Sequence, residues 1–225
     1  MKVQGARSDE AEEALATLCE SYWFPLYAYV RRQGHSPEDA ADLVQGYFTQ
    51  LLERRFIDAA QPGVGRFRAF LLYKMKHFLA NERDRAQAEK RGGGMVPLQV
   101  NFHDAEERYR LEPAHEMIAE KLFDRRWVLT LLDQTLARLE DEYTSAGKAK
   151  FFQSLNAILL GGDSTYGEYT KLAAELEMTQ GAVKTAAHRM RRRFRELLRE
   201  EIAQTVAHPE EIDEEVRHLF EVLGS

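Results

Sequence analysis

Gln180, Gly181, Lys184, Thr185, His188 and Arg192 recur at spacings of three and four, so on a helix they share one face. Amide, ammonium, hydroxyl, imidazole and guanidinium groups on that face all donate hydrogen bonds, and Gly181 keeps its start small. This is the chemistry of recognition, not of bond making. Donors grouped in this way suit base edges in a major groove, with phosphates alongside. Reactive alternatives lack their companions: the scattered Asp, Glu and His come without a glycine-rich phosphate loop, a nucleophile turn or metal-ligand spacing. Cys19 and the seven His form no zinc pattern. The sequence thus predicts no catalytic residue, no metal and no cofactor.

That face needs two crossing helices beneath it. Between Tyr169 and Phe194, Leu172, Ala173 and Leu176 mark the buried side of a first short helix, and Met178 closes a turn. Val183, Ala186, Ala187 and Met190 recur at helical spacing in the second, and the pattern predicts a helix-turn-helix. Ala173 and Ala186 are small enough for a close crossing. Thr179 is a good N-cap, its side-chain oxygen accepting from a free backbone N–H. The plainer alternative is a helical hairpin with a basic surface.

The net charge of −6 argues against a nucleic-acid partner until its distribution is considered. From Lys184 to Arg199 seven basic residues stand against one acid, and from Glu200 to Ser225 eight acids stand against one Arg. A phosphate senses charges within about 8–10 Å, so the local segment outweighs the mean. The lone cysteine excludes an intrachain disulfide and fits a reducing compartment. No apolar run approaches the roughly 18 residues of a membrane span, and the first residues lack a basic-then-apolar leader pattern. The expectation is a soluble cytoplasmic protein without membrane contact.

Upstream, nearly every periodic segment reads as helix. Glu10 to Arg32 is a helical stretch interrupted at Pro25 and ended by Gly34. Ser36, Pro37, Glu38 and Asp39 start the next, with a capping hydroxyl, a proline in the first turn and acids where the helix dipole favours them. Ala40, Leu43, Val44, Tyr47, Phe48, Leu51 and Leu52 form its apolar stripe; Asp39, Asp42, Gln45, Gly46, Thr49 and Glu53 form the opposite face. After a loop at Gln61 to Gly65, the helix from Arg66 to about Lys90 turns Phe67, Phe70, Leu71, Met75, Phe78 and Leu79 inward. Arg66, Arg68, Lys74, Lys76, Arg83 and Arg85 lie around the rest, and Tyr73 sits off the apolar stripe. Aromatic and basic residues in alternation can stack bases and hold the phosphates of a single strand, although such aromatics also make an ordinary core.

Gly92, Gly93, Gly94 and the polar stretch to about Ala114 predict a linker. A second helical block starts near Phe123 and leads through Trp127, Leu131, Leu132, Leu136, Leu139 and Phe151 into the helix-turn-helix. Pro209 opens a last amphipathic helix with Ile212, Val216, Leu219 and Phe220. The fold class expected is all-α, with two helical domains at 1–91 and 121–206, a flexible linker at 92–120 and an acidic helix or tail at 207–225.

In this order the blocks resemble the extracytoplasmic-function group of bacterial RNA polymerase sigma factors, over most of the chain. SPEDAADLVQGYFTQLLE resembles the helix that docks on the polymerase clamp, GRFRAFLLYKMKHFLANERDRA the promoter-opening helix, and YTKLAAELEMTQGAVKTAAHRMRRRFRELL the fourth-region helix-turn-helix. The resemblance implies that Asp39, Asp42, Leu43 and Gln45 meet the polymerase core; the plain alternative is a solvated acidic face. It further implies that Gln61 to Arg66 line a pocket for a flipped minus-ten base, with Tyr73, Lys76 and Asn81 near the single strand; here the alternative is an ordinary turn. Gln180, Lys184, Thr185 and His188 would read the minus-thirty-five element, while Arg189, Arg191, Arg192 and Arg193 hold phosphates. The implied partners are core polymerase and promoter DNA, with an anti-sigma factor or a kinase as candidate regulators.

Departures from the family pattern accompany the resemblance. Glu177 occupies the turn position where the family usually has Gly, and a left-handed backbone there costs a non-glycine residue about 1–2 kcal/mol. His77 and Asn81 stand where an Asn and an Asp are common. Gly46 replaces an acid common on the polymerase face, and Thr49 on the same face is a candidate phosphorylation site that would restore negative charge. The rival reading is a stand-alone helix-turn-helix repressor, which needs no acidic docking ridge between Ala40 and Glu53.

Overall fold

Apolar residues at helical spacing dictate helices throughout. The computed structural model describes residues 21–53, 66–88, 102–111, 117–159 and 166–224, and among them there is no strand. The chain divides into two compact units, Met1–Thr130 with Thr205–Ser225, and Leu131–Gln204. The cuts fall within one helix and just after another, and the acidic C-terminal segment belongs to the first unit.

In the first unit, α1 is helical over residues 21–32 and α2 spans Pro37–Glu53. The corner between them follows the local signals: Gly34 has a φ of 95°, and the Ser36 hydroxyl accepts from the Asp39 N–H at 3.1 Å. Pro25, in contrast, does not interrupt α1. Its missing N–H forfeits one hydrogen bond, which the burial of Tyr22, Trp23, Leu26 and Tyr27 around it outweighs.

The two-faced reading of α2 also needs correction. Residues 44–48 are all buried, so this turn is enclosed on every side, and Gln45 and Gly46 lie inside instead of on a solvent face. α3 spans Phe67–Ala88 and buries Leu71, Met75, Phe78 and Leu79. Tyr47 joins the two helices: its hydroxyl donates to the Leu71 carbonyl at 3.0 Å and its ring meets Phe78 edge-on at 5.8 Å.

Part of the expected linker is structured. α4 runs Phe102–Arg110, with Ala105 buried. Glu106 accepts from the Tyr27 hydroxyl at 2.7 Å and from Arg31 Nε and Nη2 at 3.0 Å each, which fixes α4 against α1. α5 spans Ala119–Ser145, and its Trp127 Nε1 donates to the Tyr22 hydroxyl at 3.0 Å. Three helices thereby converge on one aromatic core.

The segment from Thr205 onward completes this unit. The Phe67 N–H, free at the start of α3, donates to the Thr205 carbonyl at 3.1 Å. A 3₁₀ turn at Pro209–Glu211 leads into the last helix of the chain, which spans Ile212–Leu223 and buries Glu215 and Leu219. Arg68, read from sequence as a surface cation, is also buried, with its Nε donating to Glu215 Oε2 at 3.0 Å and its Nη1 to Asp124 Oδ1 at 2.7 Å. Its guanidinium lies 5.2 Å from the Trp127 ring centroid.

The second unit holds the rest of α5 with α6 (Ala149–Leu159), α7 (Tyr166–Glu175) and α8 (Gln180–Ala203). The last helix of the chain, Ile212–Leu223, is accordingly α9. Leu139, Phe152, Leu155, Leu172, Val183, Ala187, Met190, Phe194 and Leu197 close the core of the second unit. Arg138 reaches Glu201 at 2.9 Å and also pairs with Glu200, tying the middle of α5 to the end of α8. Among the described residues no helix is long and apolar enough to cross a membrane.

Candidate nucleic-acid interface

The turn between α7 and α8 is built by backbone bonds. Met178 N–H donates to the Ala173 carbonyl at 2.9 Å and Glu177 N–H to the Ala174 carbonyl at 3.4 Å, the pairing of a Schellman cap. That cap requires a left-handed residue at Glu177, whose φ is 53°, the one positive φ of a non-glycine among the described residues. Two residues later the Thr179 hydroxyl accepts from the Ala182 N–H at 3.2 Å and starts α8.

The start of α8 places the predicted readers together. Gly181, Lys184, Thr185, His188 and Arg192 are exposed on one face, opposite the buried Val183, Ala187, Met190 and Phe194. Gln180 is half-buried, its amide donating to the Thr170 hydroxyl at 2.7 Å. Gly181 has ordinary helical backbone, and a Cβ built there meets nothing within 4 Å. The fold itself has no need of glycine at this position.

The arginines separate into two groups. Arg191 Nη2 donates to the Ile158 carbonyl at 2.6 Å, satisfying one of the open acceptors at the end of α6. Arg193 grips Glu142 with two bonds of 3.0 and 2.7 Å, and that guanidinium holds the Glu142 carboxyl below its usual range. Both serve the unit's own structure. Arg192, 74% exposed and paired along its own helix with Glu196, and Arg189, also exposed, face outward. Arg189 lines an open cleft of about 570 Å³ with Tyr143, Phe151, Met178 and Ala186, a feature that the aromatic spacing of Tyr143 and Phe151 did not reveal.

On α3 of the first unit, Tyr73, His77 and Asn81 follow one another at four-residue intervals and are all exposed. The Tyr73 ring meets His77 edge-on at 4.5 Å. Lys76 instead pairs with Glu120 at 2.8 Å, a bond that raises its pKa, and Arg66 pairs with Glu214 at 3.0 Å and with Glu215. Gln61 lies outside the described residues.

On the expected docking face, Asp39 and Asp42 are exposed and Leu43 half-buried, while Gln45 is 6% exposed. Thr49 is half-buried, and its hydroxyl donates to the Gln45 carbonyl at 3.0 Å, so a phosphoryl group there would have to break that bond. No family model matches the chain, nor does any curated protein or solved structure.

Proposed function

We propose that the chain is a sigma factor of the extracytoplasmic-function type, which recruits core RNA polymerase, reads an upstream promoter element with α8 and helps to open the duplex. Gly181 is the observation that carries this reading. A glycine in the middle of a helix costs about 0.5–1 kcal/mol relative to alanine and one in the first turn less, and among the described residues nothing lies within 4 Å of a Cβ built at Gly181. It lies among exposed Lys184, Thr185, His188 and Arg192, where an outside backbone approaching closely would need the space. Tyr73 and Asn81 on α3 supply an exposed aromatic and amide pair suited to an unstacked strand. Asp39, Asp42 and Leu43 are the residues left for polymerase contact, and the chemistry throughout is binding, without a catalytic group or cofactor.

The test is transcription in vitro with purified bacterial core polymerase on a genomic library. Initiation at a defined set of promoters, dependent on the added protein, is the expected result. A second reading draws on the burial of Gln45 and Gly46, which removes one of the four expected docking residues and shortens the docking face, and favours a stand-alone helix-turn-helix repressor. Tight, sequence-specific duplex binding by the isolated chain, with no initiation when core is supplied, would establish the repressor instead.

A further inference from the structure

Two neighbouring acids of α9 meet two arginines that flank Phe67 at the start of α3, and the two pairs differ in kind. Glu215 is 1% exposed and bonds Arg68, itself buried, which anchors the helix in the core. Glu214 is 56% exposed and holds Arg66, 31% exposed, through Nη2 at 3.0 Å, while Arg66 Nε keeps to Glu215. An exposed pair of this sort contributes little and is readily exchanged for another anion. The anchored pair is not.

We propose that Glu214 is a built-in competitor for nucleic-acid phosphate at Arg66: its carboxylate occupies the guanidinium edge that a single DNA strand would take, and swings aside when the strand arrives. α9 does not detach, because Glu215 and Arg68 stay paired. The inference rests on the proposed function, which places a melted strand along α3, the helix that Arg66 directly precedes. Its effect is a threshold, so that weak, nonspecific strands fail to displace Glu214 and a strand positioned by promoter contacts succeeds.

The test uses the full chain and a labelled single-stranded DNA oligonucleotide of random sequence, followed by fluorescence anisotropy at low and high salt. Wild type is compared with Glu214→Gln, Arg66→Ala, the double variant, and Glu210→Gln, which removes the same charge from the exposed 3₁₀ turn of the same segment. Glu214→Gln is expected to tighten binding about two- to fivefold at low salt, with a smaller gain at high salt. Glu210→Gln should leave it nearly unchanged, and the double variant should bind like Arg66→Ala alone. Unfolding temperature, measured on the same samples, should change little in Glu214→Gln. Equal gains in the two glutamine variants, or a gain that survives loss of Arg66, would overturn the competitor while promoter-dependent transcription by wild type with core polymerase left the sigma reading standing. If no variant binds the strand and none initiates transcription with core, the functional reading fails and carries this inference with it.

Discussion

Arg68 and Glu215, 147 positions apart in sequence, meet as a buried ion pair beside Trp127. Two charges removed from water add little net stability while paired, but one left alone is severely unfavourable. Glu215→Ala should therefore destabilise the first unit, by less than the about 3–5 kcal/mol of a wholly uncompensated charge because Asp124 still holds Arg68. Arg68→Met combined with Glu215→Leu should recover most of that loss, because Asp124 and Arg66 are exposed enough to regain water. Thermal and urea unfolding of the two variants check this; equal losses would mean that packing, not charge, dominates the site.

Gly181→Ala separates stability from recognition. The substitution should stabilise α8 slightly, by less than the about 0.5–1 kcal/mol of a mid-helix glycine, since Gly181 lies in the first turn and the added methyl meets nothing within 4 Å among the described residues. Duplex promoter binding by the holoenzyme should fall at the same time. A variant that is more stable and binds DNA as well as wild type would remove the steric role assigned to this glycine.

Arg192→Ala and Arg193→Ala should differ although the residues are adjacent. Loss of Arg192 should leave the unfolding temperature alone and reduce the salt dependence of promoter binding by about one phosphate contact, a change of roughly 0.9 in slope. Loss of Arg193 should lower stability by up to about 1 kcal/mol through Glu142 and leave the salt slope unchanged. Salt titrations of binding beside thermal melts distinguish the two.

Acid should weaken the first unit in two stages. Burial lowers the His218 pKa below its ordinary 6.5, so below that pH the unfolded chain binds a proton that the folded one refuses. Stability then falls with falling pH until the folded imidazole also titrates. Glu106 is held below its ordinary 4.5, first by its bond to Arg31, and the stability it contributes is present above 4.5 and lost as pH falls through the lowered value. Urea midpoints across the acid range should lose the upper stage in His218→Phe and the lower stage in Glu106→Gln.

Local signals were legible and distant ones were not. The Gly34 corner, the Ser36 cap and the Thr179 cap all depend on residues within a few positions of one another, and each stands where the pattern placed it, whereas the left-handed Glu177 was expected only through the family resemblance. Pro25, Gln45 and the helix at Phe102–Arg110 escaped because partners from elsewhere decided them. Arg68 and Glu215 did leave a trace: Arg68 is three residues before Leu71 and seven before Met75, and Glu215 four before Leu219, so opposite charges sit on two apolar stripes. On α8 the outward face was legible from spacing alone. The division of its arginines was not, since Arg191 and Arg193 are claimed by Ile158 and Glu142 on other helices.

The bond from Phe67 to Thr205 closes a unit whose two pieces are separated in sequence by the whole of residues 131–204. On the ribosome this imposes an order. The second unit has all of its residues as soon as Gln204 emerges, whereas the first must wait for Glu215 before Arg68 can leave water. The part made first is finished last, and a nascent chain carries α8 fully packed before the rest of the molecule has closed.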